Sequence, residues 1–164
     1  MLGVSAGMEN EIIMLHHFLL TRFYLLLWTK DKAGHKERTA EWLEHRFALF
    51  ERYCLPSIMA QTCPEFEWIV LFDSSTPQWF RGRIAEWQKE CPQLKPVFVE
   101  PEMGRFIAEI FRREVCLRLA LRQAQEMQGR VLTTYLDNDD ALSVWFVEDV
   151  QQRASALADG TFIY

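Results

Sequence analysis

The chain crowds three carboxylates, those of Asp137, Asp139 and Asp140, into four residues. Carboxylates this close repel one another, so a fold that gathers them in one place usually supplies a counter-cation. If the chain stays extended, Asp137 and Asp139 point the same way, because side chains two residues apart share a face. Oxygen ligands of this kind suit Mg²⁺ or Mn²⁺ better than zinc or copper. The spacing therefore predicts a divalent-cation site.

The acidic segment is open to other interpretations, which its sequence restricts. Asp and Asn also cap helices, so the segment could simply cap a helix near Val144 or lie on a solvated loop. A calcium-binding EF-hand loop starting at Asp137 is excluded, because Ala141 stands where an oxygen ligand is needed and Leu142 where glycine is needed. Haloacid-dehalogenase-like phosphatases carry D-x-D on the first strand, whereas here it follows the fourth. Dinucleotide and P-loop sites need a glycine-rich loop after strand one, and residues 22–30 contain no glycine.

The elements that must position this segment are indicated by the periodicity of apolar residues. Strands are predicted over residues 17–27, 66–72, 94–99, 130–136 and 162–164. Helices are predicted from Trp42 to Pro56 or shortly after, from Pro77 through Trp87, over 106–127 with Gly129 as the C-cap, and over 144–157.

Strands separated by helices form βαβ units, so the predicted fold class is α/β, a three-layer α/β/α arrangement with a Rossmann-like, mainly parallel sheet. In such sheets, ligands bind beyond the carboxyl ends of the strands. That rule places three segments at the candidate site, residues 21–24, 73–76 and 137–140. Residues 1–164 are expected to form one domain. Because the chain stops on an apolar strand, we expect a fold truncated after its fifth strand, without an acceptor half.

Net charge and cysteine usage restrict the partners and the compartment. A net charge of −5 and a pI of about 5.4 disfavour binding to a nucleic-acid polymer, although a nucleotide held through a cation is allowed. The four cysteines form no C-x-x-C pair, which indicates reduced thiols in a cytoplasmic protein. The apolar stretch 12–28 is interrupted by two histidines, Thr21 and Arg22, so it is interpreted as a buried strand and not as a membrane span.

The motifs taken in order resemble the putative rhamnosyltransferase family, a group of GT-A-type nucleotide-diphospho-sugar glycosyltransferases. The resemblance runs from about residue 17 to residue 164. Its matching pieces are Thr21-Arg22-Phe23, Arg46-Phe47, 49–51, 53–58, Gln61, Phe72-Asp73, Thr76-Pro77, Thr133-Thr134, 136–142 and Phe146-Val147. Two positions depart from the family pattern, namely Tyr24, where Asn is usual, and Tyr135, where Arg is usual.

The resemblance implies roles for particular residues and a GT-A-like sheet. It implies that Asp139 and Asp140 coordinate Mg²⁺ or Mn²⁺ and that Asp137 contacts the ribose or the metal. It also implies that Asp73 bonds the base or ribose, for which the alternative is an Asp that caps the helix ahead of Pro77. Thr21 and Arg22 would lie under the base or near the diphosphate, and a structural salt bridge is the alternative for Arg22.

Some residues receive no role in the chemistry. A general base is expected beyond residue 164, in the acceptor half of similar enzymes. Five tryptophans are interpreted as core or helix-face packing, and the four histidines receive no role. The tryptophans in question are Trp42, Trp68, Trp79, Trp87 and Trp145.

The predicted function is a glycosyltransferase donor domain. It would transfer a hexose, rhamnose by the family's label, from a nucleotide-diphospho-sugar to a saccharide acceptor in cell-surface polysaccharide assembly, with inversion and metal assistance. Peripheral membrane association and a dimer formed through the exposed sheet edge are both compatible with this function. The alternative is a non-catalytic, truncated remnant or interaction module that retains the fold.

Overall fold

The computed structural model describes residues 14–25, 40–123 and 129–157. The described elements alternate between strand and helix along the chain. In order they are β1 Met14–Tyr24, α1 Ala40–Leu49, a π-helical turn Phe50–Cys54, α2 Leu55–Met59, β2 Glu67–Asp73, α3 Gln78–Glu90, β3 Leu94–Val99, a 3-10 turn Pro101–Phe106, α4 Ile107–Gln123, β4 Gly129–Tyr135 and α5 Phe146–Ser155.

The four described strands form one parallel sheet in the order β3-β2-β1-β4. Strand β1 is central, with Leu19 opposite Trp68 of β2 and opposite Thr134 of β4. The chain therefore moves outward from β1 to β3 and then returns across the sheet to β4. In sheets of this kind, the crevice for a ligand opens where the strand order reverses, which here is between the carboxyl ends of β1 and β4.

Most of the core lies on one face of the sheet, under α1, α2, α3 and α5. Phe23 of β1 packs against Phe47, Phe50 and Phe72, with ring centroids 4.7 to 5.0 Å apart. Burying one such side chain contributes roughly 1.5–3 kcal/mol. This aromatic cluster fixes α1 and the π-helical turn against the end of β1, close to the crevice.

Helix α4 covers the opposite face, where Phe18, Ile69 and Leu71 meet Phe111 and Val115. Helices on both faces make the three layers that the sequence predicted, so the α/β, Rossmann-like, parallel fold class is confirmed. None of the described helices is both long and apolar enough to cross a bilayer.

The predicted strand bounds differ from the observed ones by three residues at the start of β1 and by at most one elsewhere in the described part. The predicted fifth strand at residues 162–164 lies outside the described residues, as do residues 26–27 of the first. The first helical region ends at Met59, shortly after Pro56 as predicted. Its π-helical turn, in which the N–H of Leu55 bonds the carbonyl of Phe50, had no sequence signal.

The prediction that Gly129 caps α4 is wrong, because Gly129 is the first residue of β4 and pairs with Met14. A Cβ at Gly129 would lie 2.6 Å from the imidazole of His16 and 2.9 Å from the carbonyl oxygen of Met14. Glycine is therefore needed here for the close approach of two strands.

The interpretation of the tryptophans as packing residues holds for Trp68 and Trp87, which are buried. It fails for Trp145, whose side chain is 59% exposed just before α5. Trp42 and Trp79 lie on α1 and α3 and are partly exposed.

Candidate functional site

The acidic segment leaves the sheet at the predicted edge. Leu136, the residue after β4, is buried, and its N–H donates to the carbonyl of Leu20 in β1 at 3.0 Å. The chain then turns, with the N–H of Asp140 bonded to the carbonyl of Asp137 at 3.3 Å. The condition under which Asp137 and Asp139 would point the same way, an extended chain, is therefore not met. We call residues 137–142 the acidic loop.

Asn138 anchors the acidic loop to β1. Its side chain is 4% exposed, whereas Asp137, Asp139 and Asp140 are all exposed. The Nδ2 atom of Asn138 donates to the carbonyl oxygen of Phe23 at 2.6 Å. The buried amide thus fixes the loop across the crevice, and the three carboxylates are left facing outward.

Arg46 of α1 contacts the same loop through two hydrogen bonds. Its Nη1 atom donates to Oδ2 of Asp139 at 3.0 Å, and its Nη2 atom donates to Oδ1 of Asn138. The Arg46 side chain is 23% exposed and that of Asp139 is 45% exposed. The guanidinium therefore bridges two consecutive residues of the acidic loop and reaches solvent.

Two further side chains, Ser57 of α2 and Gln61 just after it, hold the end of the acidic loop and the residues that follow it. Gln61 donates to the carbonyl of Ser143 and accepts from the N–H of Val147, at 2.8 and 3.0 Å. Ser57 accepts a bond from the N–H of Leu142 at 3.2 Å. Three backbone groups between the loop and α5 are thereby satisfied by side chains, as buried or half-buried polar groups require.

Cys54 lies beneath the acidic loop, with its thiol donating to the carbonyl oxygen of Asp137 at 3.8 Å. Burial, with added repulsion from the carboxylates of Asp140 and Asp139, raises the pKa of Cys54 to about 12. The thiol therefore stays protonated at neutral pH, the form in which it is a poor nucleophile.

Asp73, at the end of β2, lies fully buried in a tight turn. Its Oδ1 atom accepts from the N–H and the hydroxyl of Ser75, at 2.8 and 2.5 Å. Arg81 holds the same turn by donating from Nε to the carbonyl of Thr76 at 3.0 Å. Asp73 thus caps this turn, and the residue that precedes α3 directly is Pro77. Its predicted contact with base or ribose stays a prediction.

Thr21 and Arg22 lie near the end of β1 in contrasting surroundings. The Thr21 hydroxyl is fully buried and accepts from Nε1 of Trp68 at 2.8 Å. Arg22 is exposed, and within residues 14–25, 40–123 and 129–157 it forms no ion pair. Donor contacts by these two residues stay predictions.

The carboxylates fit one way of holding a divalent cation. In the described part of the chain, no three His, Cys, Asp or Glu side chains are grouped to hold a metal by themselves. Mg²⁺, however, is commonly held by one or two carboxylates together with substrate phosphates. The exposed carboxylates of Asp139 and Asp140 suit that mode, in which the ligand completes the coordination.

Sequence reasoning did not assign a role to Arg46, Ser57, Gln61 or Asn138. One signal was present, because Cys54, Ser57 and Gln61 recur at intervals of three and four and so share a helix face. Arg46 and Asn138 carried no such signal, since the contact between them joins residues 92 positions apart.

The sequence profile of the family described as "Putative rhamnosyl transferase" matches residues 16–161, which is most of the chain. The matched range contains β1 from His16 onward, the whole of β4 and the acidic loop. No curated protein matches the sequence. The family's name suggests glycosyl transfer, a reaction that takes a sugar donor and an acceptor. The chain belongs to the putative rhamnosyl transferase family.

Proposed function

We propose that this chain is the donor-binding domain of a glycosyltransferase that uses a nucleotide-diphospho-sugar and Mg²⁺ or Mn²⁺. It transfers a hexose, rhamnose by the family's name, to a saccharide acceptor with inversion. The observation that carries the proposal is the anchored acidic loop. Its carboxylates are exposed at the strand-order reversal of a parallel sheet, while Asn138 binds it to Phe23. A ligand crevice is expected at that position.

The residues have distinct tasks in the proposal. Asp139 and Asp140 hold the cation, and Asp137 contacts the ribose or the cation. Asp73 accepts from the base or ribose, on the neighbouring strand end. Thr21 and Arg22 line the floor of the donor site, with the cationic Arg22 near the diphosphate.

A bound cation would neutralise the negative charge that develops on the departing nucleoside diphosphate. The protein's own contribution is positioning. The acidic loop is held by hydrogen bonds to Phe23, Arg46 and Ser57, so its carboxylates need little reorganisation when a ligand arrives. We assign no general base among the described residues.

The broader setting is part of the same proposal. Residues 1–164 act as one nucleotide-sugar-binding domain on the cytoplasmic side, with peripheral association at the membrane where cell-surface polysaccharides are assembled. Among the described strands, β4 is an edge strand and is largely exposed along its length, so a second copy could pair there.

Calorimetric titration tests the proposal. Nucleoside diphosphates and their sugar conjugates, with each common base, are titrated with and without Mn²⁺. Metal-dependent binding is expected for one base, and it should be lost in the double variant Asp139→Asn, Asp140→Asn. Asp149→Asn, an exposed carboxylate on α5, is the matched control and should bind as wild type does. Absence of metal-dependent binding at millimolar ligand would overturn the proposal.

A second candidate is a non-catalytic interaction module that keeps the fold. It is favoured by the pairing of Asp139 with Arg46, which leaves this carboxylate already neutralised without a metal. The same titration separates the two functions, because an interaction module is expected to bind no nucleotide-sugar in a metal-dependent manner.

A further inference from the structure

We infer that Arg46 exchanges partners. It pairs with Asp139 when no donor is bound, and it pairs with the donor's diphosphate when the donor binds. Cation and diphosphate then bind interdependently, each strengthening the other through this one guanidinium. This inference rests on the proposed function and assigns Arg46 a role that neither the motif nor the family description carries.

One terminal nitrogen of the Arg46 guanidinium is bonded to a buried partner, and the other is bonded to an exposed carboxylate that other ions can displace. Nη2 donates to Oδ1 of Asn138, which is buried and itself bonded to Phe23. Nη1 donates to Oδ2 of Asp139, whose side chain is 45% exposed. The bond to Asn138 keeps the guanidinium at the site, while the pair with Asp139 is open to competing ions.

The charges around the loop leave room for a divalent cation. Among the described side chains, Asp139 is the one carboxylate of the three with an ion-pair partner, and Asp137 and Asp140 have none. One guanidinium against three carboxylates leaves the loop two charges short of neutrality. A divalent cation would supply those two charges with Arg46 in place, but a cation that binds the Asp139 carboxylate competes with Arg46 for that group.

Two cations cannot share the Asp139 carboxylate without mutual repulsion, which at a partly exposed site is appreciable. A guanidinium presents the same planar fork to phosphate as to carboxylate. The diphosphate of a donor lying beside the cation therefore gives Arg46 an equivalent partner. Binding of the diphosphate lowers the cost of placing the cation, and linkage makes that effect reciprocal.

The experiment measures the affinity for Mn²⁺ by electron paramagnetic resonance of the free ion, with and without the nucleoside diphosphate identified by calorimetry. Four proteins are compared, namely wild type, Arg46→Gln, Arg46→Lys and the control Arg52→Gln. Arg52 is exposed on the same helical segment and contacts only the ring of Tyr53 among described side chains. Circular dichroism and thermal melting establish that each variant is folded.

Arg46→Gln removes the competing charge, so Mn²⁺ alone should bind about three- to tenfold more tightly than to wild type. The enhancement of Mn²⁺ affinity by nucleoside diphosphate should fall by a similar factor. Arg46→Lys keeps the positive charge but cannot make two parallel hydrogen bonds. Its affinity for Mn²⁺ alone should therefore be within about twofold of the wild-type affinity. Arg52→Gln should match wild type in both measurements.

The outcomes separate this inference from the proposed function. If wild type binds Mn²⁺ with nucleotide but Arg46→Gln binds Mn²⁺ alone no better than wild type, the exchange is overturned and the proposed function stands. If Arg46→Gln does not fold, a Mn²⁺ affinity of Arg46→Lys far from wild type overturns the exchange instead. If wild type binds no Mn²⁺ under any condition, both the exchange and the proposed function fail.

Discussion

The side-chain amide of Asn138 and the carbonyl oxygen of Phe23 lie 2.6 Å apart, joining the acidic loop to the end of β1. The bond crosses the point at which the strand order reverses. Asn138 is buried and stands among three exposed acids, so the one uncharged residue of the D-N-D-D sequence supports the charged ones.

Replacement of Asn138 by Ala should destabilise the fold by about 1–3 kcal/mol, because it leaves the buried carbonyl of Phe23 without a donor. Urea unfolding followed by tryptophan fluorescence measures this change. Ser143→Ala removes an exposed hydroxyl next to the same loop and should change stability by less than about 0.5 kcal/mol. Equal stability of Asn138→Ala and wild type would show that the bond is absent in solution.

Replacement of Gln61 by Glu should loosen the connection between the acidic loop and α5. Glu keeps the acceptor for the N–H of Val147 but loses the donors to the carbonyls of Ser57 and Ser143, each 2.8 Å from Nε2. We expect a loss of about 1–3 kcal/mol and faster amide exchange over residues 142–147. Gln88→Glu on the exposed face of α3 is the control. If amide exchange over residues 142–147 were as fast in this control as in Gln61→Glu, the role assigned to Gln61 would be contradicted.

His17 should make the protein sensitive to acid. It lies buried in β1, with Nε2 2.9 Å from the Thr134 hydroxyl and Nδ1 3.3 Å from Nε2 of Gln151, and burial lowers its pKa to about 4 from 6.5. The unfolded chain then binds the proton more readily than the folded one. Stability is therefore retained above pH 6.5 and lost as pH falls toward 4, by at most about 3 kcal/mol.

The measurement for His17 is the urea midpoint as a function of pH in wild type and in His17→Gln. The variant is expected to be less stable at pH 7 but to lose less stability between pH 6.5 and 4. His45→Gln, on the exposed side of α1, should follow the wild-type profile. Parallel profiles for wild type and His17→Gln would rule out the buried neutral imidazole.

The four thiols should differ in their reaction with iodoacetamide. Cys116 is exposed, whereas Cys54 is buried and has its pKa raised to about 12 by burial and by Asp140 and Asp139. At pH 8 we expect Cys116 to be labelled first and Cys54 only after unfolding, as measured by mass spectrometry of the digested protein. Labelling in urea is the control, because unfolding should make the four thiols react at similar rates. Rapid labelling of Cys54 in the folded protein would mean that the π-helical turn opens readily.

Local patterns were sufficient for most of the elements. The run from Phe66 to Phe72 predicted β2 to within one residue, because a short apolar segment between polar turns is typical of a strand buried in a parallel sheet. Gly129 was misplaced because a glycine after a helix is the usual C-cap signal. The contact that decides its role, with the ring of His16, is made by a strand more than a hundred residues away.

The candidate site was predicted in position but not in detail. The rule for parallel sheets placed Asp73 and the acidic loop at the carboxyl edge, where the structure has them. The conformation of the loop was left conditional on an extended chain, and the structure has a turn there instead. Extended strands follow from local pattern, whereas the turn at residues 137–140 depends on Asn138 reaching Phe23 and on Arg46 reaching Asp139.

The sequence by itself determined the alternation of strands and helices, the family and the segment that carries the carboxylates, because each of these is written in neighbouring residues. The tertiary structure alone decided which side chains meet that segment. Arg46, Gln61 and Phe23 contact the loop and the residues just after it across 82 to 115 positions of chain. Such pairings depend on how helices pack on the sheet, and one sequence contains no periodic signal for them.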